Sequence, residues 1–148
     1  LNQLSVLRAD VTVTAQDLLT LPTGSITEAG MRNNIRVGIL YLTAWLSGSG
    51  CVPIDHRMED AATAEICRTQ IWQWLHHKAR LDTGRTVDLR LLQALLNQEI
   101  EQLRREVVDR PLWVANLNRA IGLFVRLVTA DQLEPFLTIP AYRYLTNG

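Results

Sequence analysis

The sequence predicts an all-α protein, a helical bundle of about four to five helices. Three observations carry this. Apolar residues recur at three- and four-residue intervals over four long stretches. Gly, Pro and Asp break the chain between them, at 47–50, 82–84, 110–111 and 134–135. A length of 148 residues suits one domain with one core, and no run of alternating strands and helices is present.

Residues 1–24 read as a linker segment. Val11 and Val13 alternate with Thr12 and Thr14, predicting a short extended piece. Asp17 to Leu21 then fits one helical turn, stopped by Pro22 and Gly24. A terminal segment of this kind is expected to be loosely held. The helical domain is expected over 25–148. Ser25-Ile26-Thr27-Glu28 fits a capping box, with Ser25 as N-cap and Glu28 three residues on. The helix that follows should bury Met31, Ile35, Gly38, Ile39, Leu42 and Trp45. Gly38 inside it costs about 1 kcal/mol relative to Ala, a cost that close approach of another backbone would offset. Ser47-Gly48-Ser49-Gly50 ends the helix.

Pro53 keeps the next loop extended, and a second helix is expected from about 59 to 78. Its first turns are rich in Ala and give a thin face; Trp72, Trp74 and Leu75 thicken its end. After a turn at Asp82-Thr83-Gly84, a third helix over about 87–108 should bury Leu89, Leu92, Leu96, Ile100, Leu103 and Val107. Glu101 and Arg105 would pair on its wet side. A fourth helix carries Val114, Leu117, Ile121, Phe124 and Val128. A short final helix or turn holds Phe136, Ile139, Tyr142 and Leu145.

Fifteen basic residues balance fifteen acidic ones, which removes any bulk electrostatic drive toward nucleic acid or an anionic membrane. An apolar fraction of 47% places the chain among globular proteins. Fourteen of the basic residues are Arg, which suits bidentate ion pairs and equally reflects a GC-rich genome. No stretch approaches the roughly 20 apolar residues of a membrane span. Only Cys51 and Cys67 are present, which predicts a reducing compartment, the cytoplasm, rather than a disulfide scaffold. His56, His76 and His77 form no ligand set, and no metal site is expected in this chain. His76 and His77 suit a helix C-terminus. A serine-nucleophile elbow, a phosphate loop and a dinucleotide fingerprint are all missing. The four Trp residues fit core or interface positions better than base stacking.

The segment Met58-Glu59-Asp60-Ala61-Ala62-Thr63-Ala64-Glu65-Ile66, the Gly-rich run Gly48-Ser49-Gly50-Cys51-Val52-Pro53-Ile54 before it, and Gly30-Met31-Arg32-Asn33-Asn34-Ile35-Arg36-Val37-Gly38 are collinear. Together they closely resemble the C-terminal region of malate synthases of the A type. The likeness extends from Asp17-Leu18-Leu19 through Gln70-Ile71-Trp72-Gln73-Trp74 to Phe136-Leu137-Thr138-Ile139-Pro140-Ala141-Tyr142-Arg143. Asp55-His56-Arg57 departs from the family, whose members read more like Tyr-Asn-Leu or His-Asn-Leu there. The resemblance implies the helical cap or plug domain without the TIM barrel that precedes it in the family, since such a barrel needs about 250 residues. The chain is then an excised domain or a stand-alone homologue. The C-terminal Leu145-Thr146-Asn147-Gly148 lacks a Ser-Lys-Leu peroxisomal address, in keeping with a bacterial cytoplasmic protein.

Acidic residues at a helix start are favoured by the helix dipole, so position alone gives Glu59 and Asp60 a structural role. The resemblance changes this for Asp60, whose counterpart is the base that deprotonates acetyl-CoA for attack on glyoxylate. Glu59 stays an orienting or capping residue. Cys51, Val52, Pro53 and Met58 would lie on the acetyl-CoA side. The alternative for Cys51 is a buried small apolar residue, and Cys67 is expected in the core. The Mg²⁺ of the family and its acidic ligands belong to the barrel, which is the implied partner. The rival reading is a docking module without catalysis, for which the charged Asp55-His56-Arg57 is the one hint.

Overall fold

The computed structural model describes residues 2–21 and 23–146. Six helices and one small hairpin follow in order: α1 (Ala15–Leu19), α2 (Glu28–Leu46), β1 (Val52–Ile54), β2 (Arg57–Glu59), α3 (Ala61–His76), α4 (Leu89–Glu106), α5 (Pro111–Thr129) and α6 (Thr138–Thr146). The class is all-α, as the periodicity requires, with four long helices at its centre.

The hub is α2. Twelve of its nineteen residues are buried, so it is apolar nearly all round, while α3, α4, α5 and α6 pack about it. The expected stripe of Met31, Ile35, Gly38, Ile39 and Leu42 is buried, and Trp45 is half-buried with its ring edge-on to Tyr142 at 5.0 Å. The helix starts at Thr27 rather than Ser25. The Thr27 hydroxyl accepts from Gly30 N at 2.9 Å, and Glu28 N donates to the Asp82 carboxylate at 3.1 Å from the α3–α4 turn. With Asp82 serving as a second cap, no box at Ser25 is needed. Gly48, at φ 93°, closes α2: Ser49 N reaches Ala44 O at 2.9 Å and Gly48 N reaches Trp45 O at 3.0 Å. What approaches Gly38 is a side chain, the Phe124 ring of α5, rather than a backbone.

In α3 the helix begins at Ala61, two residues later than expected. Glu59 belongs to β2 and Asp60 is the N-cap. Lys78, at φ 48°, ends the helix, with Ala79 N bonded to Trp74 O at 2.9 Å. His76 closes the helix, stacked on Trp72 at 4.0 Å. One face of α3 holds the segment between α5 and α6. Trp72 Nε1 donates to Ala130 O at 2.7 Å, Arg68 Nη2 donates to Glu134 O at 2.7 Å, and Leu137 N donates to Glu65 Oε1 at 2.6 Å. Arg68 also pairs with Glu65 and is 2% exposed.

The core stripe of α4 is Leu91, Leu92, Leu95, Leu96 and Leu103. Leu89, the first helical residue, is exposed and Ile100 is only half-buried. Glu101 pairs with Arg104 at 3.8 Å, one residue short of the expected Arg105. In α5, Leu117, Phe124 and Val128 are buried, Ile121 is half-buried, and Val114 is exposed near the helix start. Over α6 and the two residues before it, the core side is Leu137, Pro140 and Ala141. Phe136, Ile139, Tyr142 and Leu145 instead form its outer face.

Residues 2–21 carry no buried position, and α1 is one short helix held by reciprocal bonds between Thr14 and Asp17. The stretch Val11–Thr14 forms no strand. Pro22, the expected stop, and Asn147 and Gly148 lie outside the described residues. No described helix is long and apolar enough to cross a membrane.

Candidate active site

The residues singled out in sequence converge on the hairpin and the start of α3. The strands pair antiparallel, Val52 with Glu59, Pro53 with Met58 and Ile54 with Arg57. Side chains alternate across the two faces. Val52 and Glu59 are therefore buried together, while Cys51, Pro53, Met58 and Asp60 are exposed. The loop expected around Pro53 is thus a strand, with Pro53 in a two-stranded ribbon where a missing N–H is tolerated.

Asp60 sits where β2 gives way to α3, at φ −124° and ψ −173°. Its Oδ1 accepts from Thr63 N at 3.1 Å, and Thr63 Oγ1 stands 3.5 Å away. Among the described residues no hydrogen bond reaches Oδ2. One oxygen is thus committed to the cap of a sixteen-residue helix, while the other takes no hydrogen bond, on a residue that is exposed.

Glu59 caps nothing. Its carboxylate is buried, close enough to Cys67 for its charge to add to the effect of burial, which together push that thiol up to about 11. Cys67 is a core residue, as expected. Cys51 is exposed, which removes the reading of it as a buried apolar residue: it follows the loop that closes α2, just outside the first strand. Beneath the site lies Tyr41 of α2, almost fully buried, with its hydroxyl 3.4 Å from Gly50 O. Burial raises the Tyr41 phenol, and the charges of Asp60, Cys51 and Glu65 raise it further, so it stays a proton donor.

Sequence reasoning passed over a second layer. Asp55 and His56 form the hairpin turn with φ 47° and 66°, the backbone of a type I′ turn. Arg36 of α2 grips Asp55 with two bonds, at 2.8 and 3.1 Å. It also grips Glu106 at the end of α4, at 2.9 and 2.7 Å. The departure at Asp55-His56-Arg57 is thus built into the fold by ion pairing. The signal available in sequence was an Arg-rich composition, which does not say which Arg meets which carboxylate.

No group of three His, Cys, Asp or Glu able to hold a metal ion occurs among the described residues. Near Asp60, Glu59 is turned inward and Glu65 is taken up by Arg68 and Leu137 N. The residues present therefore do not fit a Mg²⁺ site.

Comparison with known proteins gives a consistent answer. The family model described as malate synthase, C-terminal, matches residues 25–145. A malate synthase of Myxococcus xanthus is 52% identical over 141 residues, covering 95% of this chain and 26% of the relative. Malate synthase A of Escherichia coli is 46% identical over 145 residues, covering 97% and 27%. A bifunctional glyoxylate cycle protein of Caenorhabditis elegans is 43% identical over 146 residues, covering 99% and 15%. The chain spans about a quarter of the length of the first two. An all-α domain that matches their C-terminal family model over most of its length belongs to the malate synthase family, as its C-terminal domain.

Proposed function

We propose that this domain supplies the catalytic base of a malate synthase, which condenses acetyl-CoA with glyoxylate and water to give malate and CoA. The single observation that carries the reading is the Asp60 carboxylate, anchored through Oδ1 and open at Oδ2.

Asp60 removes a proton from the acetyl methyl group. The methyl carbon, now an enolate nucleophile, forms a bond to the aldehyde carbon of glyoxylate. Hydrolysis of the malyl thioester releases CoA. For the first step the base must be aimed, and the bond from Thr63 N at the helix start fixes one of its oxygens. Closing the exposed carboxylate against a second surface would exclude water from the reaction. Tyr41 keeps the floor of the site protonated.

The second surface is the barrel domain that precedes this region in the family. Exposed Met58 and Ile66 lie beside Asp60 in sequence, and the Leu137–Glu65 bond brings exposed Phe136 to the same end of α3. An apolar rim of this kind suits a docking face. We assign the Mg²⁺ of the family to the barrel, as the resemblance implies, since no group of His, Cys, Asp or Glu able to hold it occurs among the described residues, and no step in this chain runs through it. With only half of a two-part site, the isolated domain is expected to be inactive.

The test is CoA release from acetyl-CoA and glyoxylate with Mg²⁺, using this chain alone and then mixed with a malate synthase barrel lacking its own C-terminal domain. Activity only in the mixture, abolished by Asp60→Asn with docking retained, is the expected result. Docking without turnover would favour a binding module, and turnover by the chain alone would overturn the divided site.

A further inference from the structure

The hairpin that delivers Asp60 is not stable by itself. It has two strands of three residues, below what an isolated hairpin needs to persist in water. Its turn places two residues other than Gly at positive φ. Such backbone persists only where surrounding structure holds it, and it clusters at sites of function.

The hairpin is anchored by Val52 and Ile54, buried in the core, and its tip is held by Arg36. The guanidinium donates three hydrogen bonds, from Nε and Nη2 to the two oxygens of Asp55 and from Nη1 to Glu106 Oε1, and its Nη2 ion-pairs with Glu106 Oε2. Its side chain is 16% exposed, while Asp55 is 55% and Glu106 36% exposed, so solvent screens the pairs from the carboxylate side. Arg36 is carried by α2, the most deeply buried element of the fold. The clamp therefore refers the hairpin tip to the stiffest part of the molecule. From the tip, the chain runs through Arg57, Met58 and Glu59 directly into Asp60, with no loop to absorb a tilt. Any swing of the tip is passed to the backbone of the N-cap.

We propose that Arg36, acting through Asp55, is a positioning residue that aims the Asp60 carboxylate. The proposal rests on the assignment of Asp60 as base. Arg is required in this role because a Lys cannot pair bidentately with two carboxylates at once.

Two measurements test it. In the reconstituted enzyme, Arg36→Gln and Asp55→Asn should each lower kcat by about tenfold to a hundredfold, the scale of a small misplacement of a reacting group. KM for both substrates should be unchanged, the double variant should be no worse than either single one, and Arg36→Lys should recover only part of the loss. Asp55→Asn is the decisive variant. Asn suits a turn at positive φ at least as well as Asp, so it removes the clamp without disfavouring the turn. In the chain alone, Asp55→Asn should cost the Thr63 amide, which Asp60 accepts, its protection from hydrogen exchange, while the amides of α5 keep theirs. Full kcat in Asp55→Asn, a loss confined to KM, or an unchanged Thr63 amide would overturn the role of Arg36. Retained turnover in Asp60→Asn would instead sink the base assignment, whatever Arg36 does.

Discussion

A Cβ placed on Gly38 would lie 2.1 Å from Cε2 of Phe124, with Cδ2 and Cζ at 2.8 and 2.9 Å. The ring of α5 therefore lies against the bare backbone of α2 at the middle of the bundle. The helix-propensity cost of this Gly, about 1 kcal/mol, is offset by a contact that no other residue permits.

Gly38→Ala is expected to destabilise the domain by about 1–3 kcal/mol, the range for overpacking a close-fitted core, despite the better helix propensity of Ala. Thermal or urea unfolding measures this. Adding Phe124→Leu to Gly38→Ala should recover part of the loss. A variant as stable as the parent would show that α2 and α5 can part without cost.

The two thiols should separate cleanly. Cys67 is buried and its thiol is pushed up to about 11, so almost none is thiolate at pH 8. Cys51 is exposed. A thiol-alkylating reagent under native conditions should modify Cys51 alone, and both residues in denaturant, as read by mass spectrometry of the intact chain. Equal labelling in the native state would place Cys67 at the surface.

Asp60 serves as cap and proposed base at once, and two substitutions separate the roles. Asn caps nearly as well as Asp, whereas Ala loses about 1 kcal/mol. Asp60→Asn should therefore melt close to the parent and Asp60→Ala several degrees lower, while both lack turnover in the reunited enzyme. Melting curves alongside the CoA-release assay resolve the two effects.

The Arg36 clamp has a pH signature. Hydrogen bonding from Arg36 lowers the Asp55 carboxyl below its usual range. The stabilisation is therefore complete above the unfolded value of about 3.9 and is lost as the pH falls through the folded value. The melting temperatures of the parent and of Asp55→Asn should differ most near neutrality and converge in acid. A gap that stays constant down to pH 2 would mean the ion pair contributes nothing.

The sequence made the helices legible because their apolar stripes are long and regular. The stripe of α2 from Met31 to Leu42 and that of α4 from Leu92 to Leu103 follow from spacing alone. The hairpin escaped notice for physical reasons. Three-residue strands leave too little alternation to detect, and Asp55-His56 is a poor advertisement for a type I′ turn that usually shows Asn-Gly. Glu59 and Asp60 were both read as helical because strand and helix meet there without an intervening loop. The outer face of α6 misled in another way. Phe136, Ile139, Tyr142 and Leu145 have the spacing and chemistry of a core stripe, yet Leu137, Pro140 and Ala141 face inward. Periodicity identifies an apolar face but not the body it meets. At the site, the proposal of Asp60 as base comes from family likeness, whereas Arg36 and Asp55, nineteen residues apart, are joined only by the fold.

Glu65 Oε1, Arg68 Nη2 and Trp72 Nε1 each bond the backbone of residues 130–137. Local opening in proteins proceeds by cooperative units rather than residue by residue. The amide of Leu137 precedes α6 in sequence, but its only route to exchange is release by a side chain of α3. Its exchange should thus keep time with α3, making the C-terminal helix a passenger of the helix that begins at Asp60.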